Sequence, residues 1–271
     1  MEAGGHARRR PVGRCPRFRR GGDSALDTVF REGGRVTAGA PTAADIDPRD
    51  IDAVFFDFDG VLVESNEVKI DAFRRLYEPF GAEVVERVIA EHIRHEGVSR
   101  VVKLERFHRE FLNITLDDDG LAELAETYSN MVEDVVVACD AVPGAVAALD
   151  AWANHCPLYV VSGTPQDELR RIAKRRGLDG YFSTVFGSPR VKPDIVGDEL
   201  SRIGVQADRV LFVGDSITDY DCAVAVGTRF LGRVPAWRES RFPDGTEVAS
   251  DMWPLALAGG TTARPQAEAG A

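Results

Sequence analysis

Two aspartates, Asp57 and Asp59, stand two residues apart in the run DFDG, directly after the apolar stretch AVFF. A strand ending there projects both carboxylates from its carboxyl end, where two unscreened negative charges repel each other. A cation between them removes that repulsion and lets a carboxylate approach a phosphate, which is the requirement of metal-assisted phosphoryl transfer. A lone DxD also serves as an ordinary turn pair, and only further groups at the same edge favour chemistry.

Such groups recur along the chain. In GDSITD, Asp215 and Asp219 follow another apolar run and straddle the start of a helix, adding two more carboxylates. An acid cluster without nearby histidine prefers a hard, oxygen-seeking cation such as Mg²⁺ to zinc. Ser162, Gly163 and Thr164 form the triplet SGT at another strand-to-helix junction. Hydroxyls and free N–H groups there, with glycine permitting close approach, cradle a phosphate, although the same letters serve as a plain N-cap. Lys192, in RVKPD between two of these strands, offers a fixed ammonium that offsets phosphate charge.

The elements that must hold these groups are short β-branched and aromatic runs, each followed by a polar turn and a segment of helical period. Residues 53–57 (AVFFD), 158–162 (LYVVS) and 209–215 (RVLFVGD) read as strands, with 181–187 (YFSTVFG) as a fourth. Near-continuous apolar strands alternating with helices predict an α/β fold with a parallel sheet covered on both faces. Ligands of such sheets bind beyond the carboxyl ends of the strands. After the second strand, Thr164 is expected as N-cap with Pro165 as first helical residue and Gly177 as the stop. Between Asn66 and about Ala141 the strand signal vanishes and amphipathic helices take over. One carries Leu121, Leu124, Ala125, Tyr128, Met131 and Val132, another Val84, Val85, Val88 and Ile89. Pro143-Gly144 marks the exit from this insertion, and a core helix carrying Val146, Leu149 and Trp152 follows.

The order DFDGVL, VVSGTP, VKPD, GDSITD resembles the four motifs of the haloacid dehalogenase-like superfamily, over about residues 52–232. The likeness is to its phosphoglycolate phosphatase and β-phosphoglucomutase subgroup. It implies a Rossmann-like core with Asp57 as nucleophile and Asp59 as general acid and base. It further implies Ser162 and Lys192 on the phosphoryl group, and Mg²⁺ on Asp57, the Asp59 carbonyl and Asp215, with Asp219 in support. The insertion then resembles the family's cap. The expected organisation is a disordered Arg-rich tail at 1–49, the core at 50–66 and 142–257, the cap at 67–141 and a second disordered tail at 258–271.

The function expected from the resemblance is a Mg²⁺-dependent phosphatase that hydrolyses a small phosphate monoester through an aspartyl-phosphate. The alternatives are a β-phosphoglucomutase-like phosphotransferase, disfavoured because Lys69 stands where those enzymes carry a cap histidine, and a non-catalytic phospho-ligand module. A phosphonatase would need a cap lysine, Lys69 or Lys103, and a dehalogenase would not need Asp59. On the insertion, Arg100, Lys103 and Arg106 share a helix face that presents positive charge to an anionic substrate or forms a salt-bridged outer surface with Glu96 and Glu105. His92, His95 and His108 have no partner set of metal-site pattern and read as members of solvated helices.

Composition sets the outer limits. The 271 residues carry a net charge of −11, which repels nucleic acid and anionic membranes. The partner that the resemblance implies is a small phosphorylated metabolite, and the expected assembly is a monomer or homodimer. Four scattered cysteines, Cys15, Cys139, Cys156 and Cys222, form no CxxC pair, and a reducing, cytoplasmic setting is expected. No apolar run approaches the roughly 20 residues of a membrane span.

Overall fold

The computed structural model describes residues 46–262, so most of both expected tails lies outside the described residues. The parts of those tails that are described carry structure. Asp47 caps a single 3₁₀ turn at Pro48–Asp50, accepting a hydrogen bond from the Arg49 N–H at 2.9 Å. At the other end the Gly259 carbonyl lies 3.0 Å from His155 Nε2.

Six strands form one sheet: β1 (Ala53–Phe56), β2 (Leu158–Pro165), β3 (Phe182–Ser188), β4 (Val210–Gly214), β5 (Arg229–Arg233) and β6 (Val248–Ala249). They are all parallel, in the order β3-β2-β1-β4-β5-β6. This is the strand order of doubly wound sheets, in which the chain reverses direction beside β1 and opens a crevice at its carboxyl end. All four residues of β1 are fully buried, because alternate side chains enter two cores. Val54 and Phe56 join Val160, Leu211 and Val213 under α5 (Ala145–Trp152), α6 (Gln166–Arg175) and α9 (Trp253–Ala258). Ala53 and Phe55 join Tyr159, Val161 and Phe212 under α7 (Lys192–Ile203) and α8 (Ile217–Val226). The Phe55 and Tyr159 rings stack at 4.7 Å.

Four helices are inserted between β1 and α5: α1 (Asn66–Tyr77), α2 (Ala82–Arg94), α3 (Arg100–Leu112) and α4 (Asp118–Ala138). Phe73 sits at their centre, its ring 4.6 Å from those of both Tyr128 and His92 and 5.8 Å from that of Phe107. The two chain segments that join this helical layer to the sheet are hydrogen-bonded to each other. Val63 and Ala141 form an antiparallel bridge, flanked by Glu64 N–H to Asp140 C=O at 3.0 Å and Val142 N–H to Leu62 C=O at 3.1 Å.

Several local expectations are corrected. Thr164 is not an N-cap: β2 runs through it to Pro165, which itself precedes the helix, because the Thr164 hydroxyl is drawn to the Asp59 carboxylate instead. Val146 is exposed on α5, whose buried face is Ala145, Ala148, Leu149 and Trp152. The histidines do not sit on solvated faces: His92 and His108 are buried, the latter with Nδ1 2.9 Å from the Tyr77 hydroxyl, and His95 pairs with Glu91. Arg176, at the C-cap of its own helix, reaches instead the carbonyls of Val136, Val137 and Cys139 at 2.7–2.9 Å and so closes the carboxyl end of α4.

Candidate active site

The carboxyl ends of β1, β2 and β4 deliver the acidic and hydroxyl residues to one place. Asp57, one residue beyond β1, is held on both carboxylate oxygens: the Phe58 N–H donates to Oδ1 at 2.6 Å and Lys192 Nζ to Oδ2 at 2.8 Å. Lys192, in the first turn of α7, also donates to Asp219 Oδ1 at 2.5 Å. Asp219 in turn accepts from the Ser216 hydroxyl and N–H at 2.6 and 3.1 Å, completing the capping box of α8. Asp57, Lys192 and Asp219 are all nearly inaccessible to water. Burial, helped by Asp219 and Asp59 and opposed by Lys192, pushes the Asp57 carboxyl up to about 6.

Asp59 faces the helical layer. Its Oδ1 accepts from Ser65 at 2.6 Å, and its Oδ2 accepts from Thr164 at 3.0 Å, from Ser162 at 3.4 Å and from Lys69 of α1. Burial alone would raise the Asp59 carboxyl, but the Lys69 ammonium and the two closer hydroxyls outweigh it and hold the group below its ordinary value.

Asp57, Asp215 and Asp219 can each turn one oxygen to within 4.8 Å of the others. Four carboxylates here face two ammonium groups, Lys69 and Lys192. The all-oxygen donor set and the surplus of two formal negative charges fit a hard divalent cation. Asp219 has both oxygens committed to Lys192 and Ser216, whereas among the described residues Asp215 accepts a side-chain hydrogen bond only from Asn66, at 2.6 Å, and is the freer ligand. Burial, together with Asp57, Asp219 and Glu96, drives the Asp215 carboxyl well above its ordinary value. Gly60, at φ +73°, completes the turn, and a Cβ there would overlap the Asp215 carboxylate.

A cavity of about 520 Å³, its open mouth included, joins these groups to the helical layer. Asp57, Asp59, Ser162, Gly163, Thr164 and Asp215 form its floor; Lys69, Phe73, His92, Arg100, Lys103 and Tyr128 form its sides and roof. Of the three residues expected to present cap charge, Arg100 and Lys103 are therefore at the cavity. Arg100, however, makes a buried bidentate pair with Glu168 of α6 at 2.5 and 3.0 Å. Arg106 lies outside the lining and pairs with Glu91 and Glu110.

Three groups of contacts had no sequence signal. Glu168 and Asn66 belong to none of the motifs singled out in the sequence, and Glu96 is expected on a salt-bridged outer surface. Glu96 is instead gripped by Arg238 and Arg241 from the segment after β5, while its carbonyl accepts from Thr218 at 2.7 Å. Beside it, Gly97 lies so close to Gly163 that a Cβ on Gly163 would overlap the Gly97 carbonyl. The helical layer is thus seated directly on the sheet edge.

The profile described as haloacid dehalogenase-like hydrolase matches residues 51–227, the span that contains every motif residue above. The chain belongs to that family. Among relatives, the phosphoglycolate phosphatase of Rhodospirillum rubrum is 30% identical over 184 residues, covering 65% of this chain and 76% of that one. A phosphorylated carbohydrates phosphatase of Thermotoga maritima is 27% identical over 65% of this chain and 82% of its own. The crystal structure of CbbY from Rhodobacter sphaeroides in complex with phosphate superposes with a TM-score of 0.61 at 17% identity, covering 77% of this chain and 98% of that chain, and shares the fold. Membership of the family confirms the α/β, Rossmann-like core expected from the strand pattern. No helix among the described residues is long and apolar enough to cross a membrane.

Proposed function

We propose that this chain is a Mg²⁺-dependent phosphatase that hydrolyses the monoester of a small phosphorylated metabolite through a phosphorylated Asp57. The observation that carries the reading is the opposed clamping of the two first-motif aspartates: Asp57 is fixed from the α7 side by Lys192, and Asp59 from the helical layer by Lys69, Ser65 and Thr164. One group is thereby oriented to attack and the other to exchange a proton. Bound Mg²⁺, held by Asp57 and Asp215 with Asp219 and Lys192 behind them, would supply the positive charge that lets the phosphate approach a carboxylate.

In the first step an Asp57 carboxylate oxygen forms a bond to phosphorus while the ester P–O bond breaks, and Asp59, reacting through its minor protonated fraction, gives its proton to the departing alcohol oxygen. Ser162, the Gly163 and Thr164 N–H groups and Lys192 are placed to hold the phosphoryl oxygens. In the second step Asp59, now a carboxylate, takes a proton from water as that water attacks the phosphorus, and the Asp57–phosphate bond breaks to release phosphate. The seated helical layer keeps other water out during the first step and must lift to admit and release ligands.

The test is phosphate release from a panel of phosphorylated metabolites, with and without Mg²⁺, by wild type and by Asp57→Asn. Release by wild type alone, dependent on Mg²⁺, is expected. Turnover by Asp57→Asn would remove the nucleophile assignment, and transfer of the phosphoryl group to a second sugar without net release would favour a mutase.

A further inference from the structure

Three cationic side chains line the cavity: Lys69, Arg100 and Lys103. Lys69 is paired with Asp59 and Arg100 with Glu168. Lys103 forms no ion pair among the described residues. Its Nζ lies 3.1 Å from His92 Nδ1 and 3.5 Å from the His92 carbonyl, which leaves part of its donor capacity unused. The residue is nonetheless 2% exposed. An ammonium removed from water without a counter-charge is destabilising, so the group there either gives up its proton or is stabilised by an anion from elsewhere.

The surroundings leave that anion a single approach. His92 is buried, and its imidazole is held well below its ordinary range first by that burial and then by Lys103 and Lys69, so it stands as a neutral acceptor. Glu96 is the carboxylate that faces Lys103, but Arg238 and Arg241 already occupy it. Arg100 and Lys192 add like charge from α3 and α7. The remaining direction is the cavity itself, which Lys103 lines together with Asp57 and the Phe73 and Tyr128 rings.

We propose that Lys103 receives a second anionic group of the substrate, a carboxylate or a phosphate carried on a short carbon skeleton beyond the phosphoester. This rests on the phosphatase reading above and narrows its substrate class to phosphorylated acids or bisphosphates. His92 acts as a positioning residue: its Nδ1 holds the Lys103 ammonium toward the cavity. Burial, with Lys69 adding to it and Glu96 opposing, pushes the Lys103 ammonium down to about 7, so the anion also restores its charge on arrival.

Three probes of equal carbon number test this: a phosphorylated short-chain acid, the corresponding bisphosphate, and the monophosphate of the uncharged alcohol. In wild type the acid or the bisphosphate should exceed the uncharged compound in kcat/KM by about 30-fold or more. The better of the two identifies the second anion. In Lys103→Met that ratio should fall to near one, and Lys103→Arg should recover part of it. A ratio near one in wild type, or an unchanged ratio in Lys103→Met, overturns the proposal. If none of the three is turned over, the phosphatase reading fails by itself. Dissociation constants of the same compounds for Asp57→Asn in Mg²⁺ then decide: the same ratio in affinity, lost on adding Lys103→Met, supports the anion site, and equal affinities overturn it.

Discussion

Lys69, from the first helix of the layer above the sheet, forms an ion pair with the carboxylate of Asp59 and at the same time donates to the Thr164 hydroxyl at 2.9 Å. Thr164 also donates to Asp59, so the three side chains close a ring that spans the two layers. The general acid and base of the proposed mechanism is therefore governed by a group that arrives only when the helical layer is seated.

Replacing Lys69 by Met removes the largest influence that holds the Asp59 carboxyl down, leaving burial to raise it. Asp59 then takes up its proton at higher pH and serves less well as a base toward water. The acidic limb of the kcat profile should move to higher pH, and kcat near neutrality should drop about 10- to 100-fold. Steady-state phosphate release across pH 5–9 measures both, and an unshifted limb would show that Lys69 only anchors the helix.

Arg100 and Glu168 are both almost fully buried and pair across the two layers. Arg100→Met leaves the Glu168 carboxylate enclosed without a counter-charge and should destabilise the protein by roughly 3–5 kcal/mol. Combining it with Glu168→Leu should recover most of that loss. Urea denaturation of the two single variants and the double variant gives the coupling, and additive losses would deny the pair any special role.

Gly163→Ala places a methyl where the Gly97 carbonyl lies. The sheet should fold normally, because the side chain meets only the helical layer. The seating of that layer should fail, lowering kcat/KM about 100-fold through displacement of Lys69 and Lys103 from the site. Hydrogen exchange should quicken in residues 95–99 while β1 and β4 keep their protection.

Lys103 predicts a pH dependence of stability. Its ammonium sits near 7 in the folded chain against 10.5 when unfolded, so between those values the unfolded state binds more protons and stability rises with pH. The rise is at most about 1.4 kcal/mol per pH unit. Thermal unfolding of wild type and Lys103→Met between pH 7 and 9.5, without ligand, should show it in wild type alone. Parallel curves would mean that the ammonium keeps its charge throughout.

The sequence carried the sheet because residues such as Val54, Phe55 and Phe56 are apolar without alternation, a pattern that only a doubly covered strand requires. It carried Asp57, Asp59, Asp215 and Lys192 because each lies at or just beyond the boundary of a regular element, at the edge where strands end and helices begin. It did not carry β5, which begins and ends in arginine, since the partners that let Arg233 be buried, Glu64 169 residues earlier and the carbonyls of Gly60 and Ser250, lie on other segments. Glu168, Arg238 and Arg241 were illegible for the same reason: their partners are fixed by topology rather than by spacing. Lys103 was visible as a charge on a helix face, but its isolation depends on which neighbours Glu96 and Arg100 had already taken.

The paired segments around Val63 and Ala141 bear on how the helical layer can travel. Two separate single-chain tethers would permit twist, slide and tilt in any combination. Two tethers bonded edge to edge act as one leaf, stiff against shear and compliant only to folding along its width. In the proposed cycle of lifting and seating, a layer hung this way would swing like a page on its spine, and each return would bring Lys69 back to the same carboxylate without a search.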